Sequence, residues 1–170
     1  MQYLLRFLLA PSMALWKYCL CLAPLTVVPA VLLSILAILL ADAVGVDVAA
    51  YSGPAREATL GSFFSMVVFA PIVETLILSW LLKVLLSTSL SSVASAVVAA
   101  GLWGLLHGIF TPFWFFGAAW GFFVFSCGYI AWRHVSYGQG FLAASVPHAL
   151  ANSMILLFIW SREIAVNSTT

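Results

Sequence analysis

Five stretches of this chain are apolar on every face, and each is long enough to cross a bilayer. They run from about Leu20 to Leu40, Leu60 to Leu82, Val93 to Phe110, Phe113 to Trp132 and Phe141 to Trp160. A helix needs about 20 apolar residues to cross the hydrocarbon core. Barrel strands would alternate apolar and polar residues, and these runs do not. Polar segments separate them: Asp42 to Arg56, Ser87 to Ser95, Thr111-Pro112, and a loop of Arg133, His134 and Gly138-Gln139-Gly140. The tail from Ser161 is polar. The pattern predicts an all-α polytopic membrane helix bundle of about five transmembrane helices, forming one domain over residues 19–170. Lys83 closes the second run, and no internal repeat is evident.

Residues 1–18 are apolar but interrupted by Arg6, Pro11 and Lys17. They predict an interfacial helix feeding the first span, with Trp16 and Tyr18 at headgroup depth. Ala41-Asp42-Ala43 resembles a signal-peptide cleavage site. The apolar run before it exceeds the usual signal core of about 7–15 residues, so a retained span is expected.

Composition sharpens this picture. Of 170 residues, 65% are hydrophobic and only 6% charged, with mean hydropathy +1.17. Soluble chains carry about 25% charged residues, so this surface is covered mostly by membrane lipids. The net charge of +1 argues against nucleic-acid binding. Cys19, Cys21 and Cys127 are odd in number and lack redox or zinc spacing, so they read as small apolar filler. Arg6, Lys17, Lys83 and Arg133 fall on one side of a five-span chain, and Arg56 and Arg162 on the other. The excess of cations places the N-terminus in the cytoplasm. In a prokaryote the membrane would be the plasma membrane. Asn167-Ser168-Thr169 is a glycosylation sequon only in a eukaryotic lumen.

Against this apolar background, Glu74, His107 and His148 lie inside spans. An ionisable group at a helix centre costs about 2.5–3.5 kcal/mol on insertion scales and marks pairing, a wet cavity or chemistry. Glu74 has no Lys or Arg within one helical turn and can serve as a general base. Pro71, one turn earlier, frees a carbonyl and can bend the helix. His107 shares a helix face with Trp103, four residues before it. Gly104 and Gly108 form a small-xxx-small pair that admits a neighbouring helix, which would place a side chain against the imidazole; a histidine near the end of the span that faces water is the equal alternative. Gly117-xxx-Gly121 reads as helix packing. His148 and Asn152 stand one turn apart on one face. Asn152 can orient the imidazole, donate to an oxyanion, or serve as a packing bond between helices. His134 follows Arg133 in a polar loop and reads as solvated.

Three motifs follow in order, each on its own span: Pro71-x-x-Glu74-Thr75-x-x-x-Ser79, Trp103-x-x-x-His107 and His148-x-x-x-Asn152. They resemble the CAAX protease and bacteriocin-processing (CPBP) family of intramembrane endopeptidases, which includes the type II CAAX prenyl proteases. The family pattern is Pro-x-x-Glu-Glu-x-x-x-Arg, Phe-x-x-x-His and His-x-x-x-Asn. The resemblance covers about Pro71 to Asn152, in a CPBP-like core of about residues 60–160. Thr75 stands for the second glutamate, Ser79 for the arginine and Trp103 for the phenylalanine.

The resemblance implies hydrolysis of a peptide bond in a membrane-associated or lipidated protein. Glu74, assisted by His107, would deprotonate water, while His148 and Asn152 would stabilise the oxyanion. Trp103 and Pro71 would support them. No cofactor is expected in this reading. A divalent metal held by Glu74, His107 and His148 is the alternative. A second alternative is a catalytically degenerate, CPBP-like membrane scaffold, which loss of the second glutamate and the arginine favours. A third is a small proton or metal-ion carrier using the same side chains as a relay. Aromatic residues of the fourth span would line a groove for an apolar peptide or pack against lipid.

Overall fold

The structure is a computed structural model and describes residues 2–10, 12–51 and 57–168. Helix α1 (Gln2–Leu9) is followed by α2 (Leu15–Ala43), the first span. The second span joins α3 (Leu60–Phe63), a π-helical segment (Phe64–Phe69) and α4 (Ala70–Leu85). The third, fourth and fifth spans are α5 (Ser92–Phe110), α6 (Trp114–Trp132) and α7 (Tyr137–Asn167). Among the described residues, five helices are long and apolar enough to cross a membrane. No strand occurs among the described residues. The chain is an all-α bundle with the character of an integral membrane protein.

Local chemistry fixes where the helices start. The Thr59 hydroxyl accepts from the Ser62 amide, Ser91 from the Ala94 amide and Ser136 from the Gln139 amide. Each side chain caps one of the orphan donors at a helix start. The Ser136 cap corrects one expectation. Gly138-Gln139-Gly140 is not loop but the first turn of α7, and Gly140 lies against the Arg133 backbone, where a Cβ would come within 3.0 Å. Beyond Ser161 the chain also remains helical through Asn167. There Glu163 accepts from the Ala58 amide at 2.9 Å and ties α7 to the start of the second span. The polar segment after the first span contains a short 3-10 turn, Val48–Tyr51. Its Ser-Gly-Pro part and Arg56 lie outside the described residues, as do Pro11 and the last residue of the sequon.

The fourth span lies at the centre, packing against the first, third and fifth. Lipid gives no hydrophobic drive between helices, so small residues that let backbones approach must hold them together. A Cβ on Gly104 would meet Ala119 at 2.9 Å, and one on Gly117 would meet the Ser34 hydroxyl at 2.8 Å. Gly121 faces Thr26 of the first span, so both glycines of the Gly117-xxx-Gly121 pair serve helix packing.

Prolines add a second kind of contact. Pro29 has no N–H for the Leu25 carbonyl, and the Trp120 indole of the fourth span donates to it instead at 2.9 Å. Pro147 likewise leaves the Ala143 carbonyl without its helical donor. Gly128 packs so closely there that a Cβ would stand 2.5 Å from that oxygen.

Tyr18, next to the outward-facing Trp16, turns into the protein. It is fully buried, donates to the Leu8 carbonyl at 2.6 Å and packs near Trp132, fastening α1 onto the bundle. Its hydroxyl finds a partner indoors, so water is not needed. Trp16 points outward, with Lys17 over its ring. Cys19 and Cys127 are buried and Cys21 is exposed, all as free thiols.

Charge divides between the two ends of the bundle. Consecutive spans alternate in direction, so Arg6, Lys17, Lys83 and Arg133 share one end. Asp42, Asp47, Glu57 and Glu163 share the other, together with Arg162. A reporter that works only in the cytoplasm should therefore be active when fused after Ser87 or Val135 and silent after Asp47; the reverse pattern would overturn the orientation. Gly128→Ala forces a methyl group into a backbone carbonyl and should lower the unfolding midpoint in detergent, by roughly 1–3 kcal/mol of stability. Gly101→Ala, where a Cβ meets nothing within 4 Å, should leave the midpoint unchanged or raise it.

Candidate active site

Glu74 and His148 meet across the second and fifth spans. The Glu74 Oε2 atom lies 3.8 Å from His148 Nε2, beyond hydrogen-bond length but within ion-pair contact. The two groups differ in exposure: the Glu74 side chain is 23% exposed and that of His148 only 8%. His148 Nδ1 is buried and has no hydrogen-bond partner among the described residues.

Two aromatic rings of the fourth span wall the imidazole. Phe125 stacks on His148 with centroids 4.6 Å apart and planes 19° apart. Phe122 meets it edge to face at 5.5 Å. The same Phe122 ring lies 5.6 Å from His107 and stacks on Trp103 at 4.5 Å. Phe122 therefore bridges the third and fifth spans, and both imidazoles contact it. The close approach at Gly104 and Gly108 allows this, because Phe115 and Ala119 occupy the space that larger side chains would fill.

His107 is half-buried, and its Nδ1 lies 2.9 Å from the Trp103 carbonyl. A carbonyl only accepts, so Nδ1 carries a proton and Nε2 points away from this bond. Trp103 thus fixes the tautomer through its backbone as well as packing beside the ring. His134 is exposed in the loop before α7.

Asn152 points into the same seam between the second and fifth spans. Its amide nitrogen donates to the Met66 carbonyl at 2.7 Å. Thr75 and Ser79, which stand where the family pattern has glutamate and arginine, are both buried. The Ser79 hydroxyl donates to the Leu76 carbonyl and lies 3.2 Å from the Tyr137 hydroxyl. Both positions face the bundle and place no charge in its interior.

The three ionisable groups are joined by different means. Glu74 and His148 are in direct contact, whereas His107 is linked to His148 through Phe122. The alternative metal set is not assembled: no grouping of three His, Cys, Asp or Glu side chains suited to an ion occurs among the described residues. An open groove of about 310 Å³ lies beside the site, between the second and fifth spans. Pro71 and Ile72 line one wall, and Ser145, Ala149 and Ser153 the other.

Sequence reasoning did not single out Phe122, Phe125 or the Met66 carbonyl. The aromatic density of the fourth span was the available signal for the two rings. Both turn inward against the histidines, so they do not line the groove. The Met66 carbonyl carried no signal, because its exposure arises from backbone geometry. No family model, curated protein or solved structure matches the chain. The family resemblance therefore rests on the three motifs.

If Glu74 and His148 interact, their substitutions are not independent. A double-mutant cycle of Glu74→Gln and His148→Asn, read from unfolding in detergent, should show a coupling of at least about 0.5 kcal/mol. Strict additivity would mean that the two groups do not meet.

Proposed function

We propose that the chain is an intramembrane endopeptidase that hydrolyses a peptide bond of a membrane-associated or lipidated protein with water activated by Glu74. The observation that carries this reading is the Glu74–His148 contact at 3.8 Å inside the bundle. A carboxyl and an imidazole held together away from bulk water are costly to bury, and such costs are met most often at functional sites. The order of the three motifs supports the same class.

In this reading the Glu74 carboxylate takes a proton from water as the water oxygen bonds to the scissile carbonyl carbon. The electron pair of the carbonyl moves to its oxygen, which accepts hydrogen bonds from nearby N–H donors. The His148 imidazole supplies one donor when its Nε2 is protonated, and Asn152 has a second amide hydrogen beyond the one given to Met66. Glu74 then returns its proton to the departing amine nitrogen as the C–N bond breaks. His107, with Nδ1–H held by Trp103, keeps a basic Nε2 that assists the first proton transfer. The groove lined by Pro71 and Ala149 would take an apolar segment between the same two spans.

A second reading is favoured by one specific observation. Thr75 and Ser79 leave Glu74 without the second carboxylate and the cation of the family pattern, as in a membrane scaffold that has lost catalysis. One assay separates the two. Purified protein in lipid, offered a panel of membrane-linked and prenylated peptides, should cleave at least one. Glu74→Gln and His148→Ala should each reduce that cleavage at least about 100-fold. If the native protein cleaves none while a cellular phenotype survives both substitutions, the scaffold reading replaces the enzyme.

A further inference from the structure

The second span is not a uniform helix, and its irregularity sits where the fifth span touches it. Residues Phe64–Phe69 form a wide π turn, and the Ala70 amide donates to the Ser65 carbonyl, five residues back. In that register the Met66 carbonyl would take its bond from residue 71. Residue 71 is proline and has no N–H to give. The π register and Pro71 together leave the Met66 carbonyl open, within a span where lipid offers no donor. The Asn152 amide reaches it at 2.7 Å.

We infer that Asn152 is a positioning residue: its side-chain amide replaces the N–H that Pro71 lacks, holds the π turn open and so sets the rotation at which Glu74 faces His148. One residue inserted into an α-helix rotates the segment on one side of it by about 100° relative to the other. A π turn directly before Pro71 therefore controls which face of α4 meets the fifth span. Asn152 and His148 lie one turn apart on α7, while Met66 and Glu74 lie on either side of Pro71. The two contacts, Asn152 to Met66 and His148 to Glu74, clamp the same pair of spans at two heights. The Trp120 bond to the Leu25 carbonyl below Pro29 uses the same device elsewhere in the bundle.

The test is a suppressor cycle in the full chain, read without any activity assay. None of its readouts depends on what Glu74 does chemically. Asn152→Leu should lower the unfolding midpoint in detergent by roughly 2–8 °C. It should also abolish the Glu74–His148 coupling measured by the cycle described above. Pro71→Ala restores an N–H at position 71, so in the Pro71→Ala background the same Asn152→Leu change should cost less than half as much, and the coupling should return. If Asn152→Leu alone fails to fold, a folded double variant supports the inference and an unfolded one overturns it. Equal cost in both backgrounds, or full coupling retained in Asn152→Leu, would also overturn it. In those cases Asn152 is only a bond between helices.

Discussion

A backbone carbonyl within a bilayer needs a donor from the protein itself, because hydrocarbon supplies none. Prolines inside spans create such carbonyls at fixed positions in this chain. The Leu25 carbonyl, freed by Pro29, is met by the indole of Trp120. The Met66 carbonyl, freed by Pro71 and the π turn before it, is met by the amide of Asn152. In both cases the donor comes from a different span. A local defect thereby becomes a specific contact between helices, of a kind that apolar packing cannot provide. Interhelical hydrogen bonds average only about 0.6 kcal/mol in membranes. Their value here is directional: each fits one rotation of one helix against another.

Close approach supplies the rest. The fourth span is built of glycines and aromatics, and the two types divide the work. Gly104 on the third span admits Ala119 and Phe115, while Gly117 and Gly121 meet the first span and Gly128 the fifth. With the backbones this near, Phe122 and Phe125 have nowhere to turn except between the third and fifth spans. There they become the walls of His107 and His148. The surroundings of the histidines are thus a consequence of glycine spacing on helices that carry no ionisable site group or only one.

Much of this architecture is legible from sequence because membrane spans obey a length rule. All five apolar runs correspond to helices, and the predicted ends of the third and fourth lie within a residue of the observed ones. The ends went astray where a side chain outweighed composition. Ser136 caps α7 in front of two glycines that read as loop, and Tyr18 finds the Leu8 carbonyl and so turns inward. Within the site, Glu74, His107, His148 and Asn152 stand out because polar groups are scarce in these runs. Which of them meet does not follow from that scarcity. The rotation of the second span depends on a π turn, and no residue type encodes a π turn as plainly as serine encodes a cap. Pro71 was visible, but that Met66 would be the carbonyl left open depends on the register before it.

The exposure of the two central groups gives the site a direction. The imidazole of His148 is sealed between Phe122, Phe125 and its own helix, whereas nearly a quarter of the Glu74 side chain remains accessible. Of the two groups, the carboxyl is the more accessible and the imidazole the more enclosed. Thr75 and Ser79 add no charge beside Glu74. A second carboxylate and an arginine buried beside Glu74 would each need a partner in a dry bundle. Ser79 instead satisfies its hydroxyl on the Leu76 carbonyl of its own helix. With threonine and serine at these positions, no cation lies within one helical turn of Glu74 on its own span. The fifth span contributes to the orientation of Glu74 instead, through the contact with His148 and through the bond that Asn152 makes to the carbonyl before the proline.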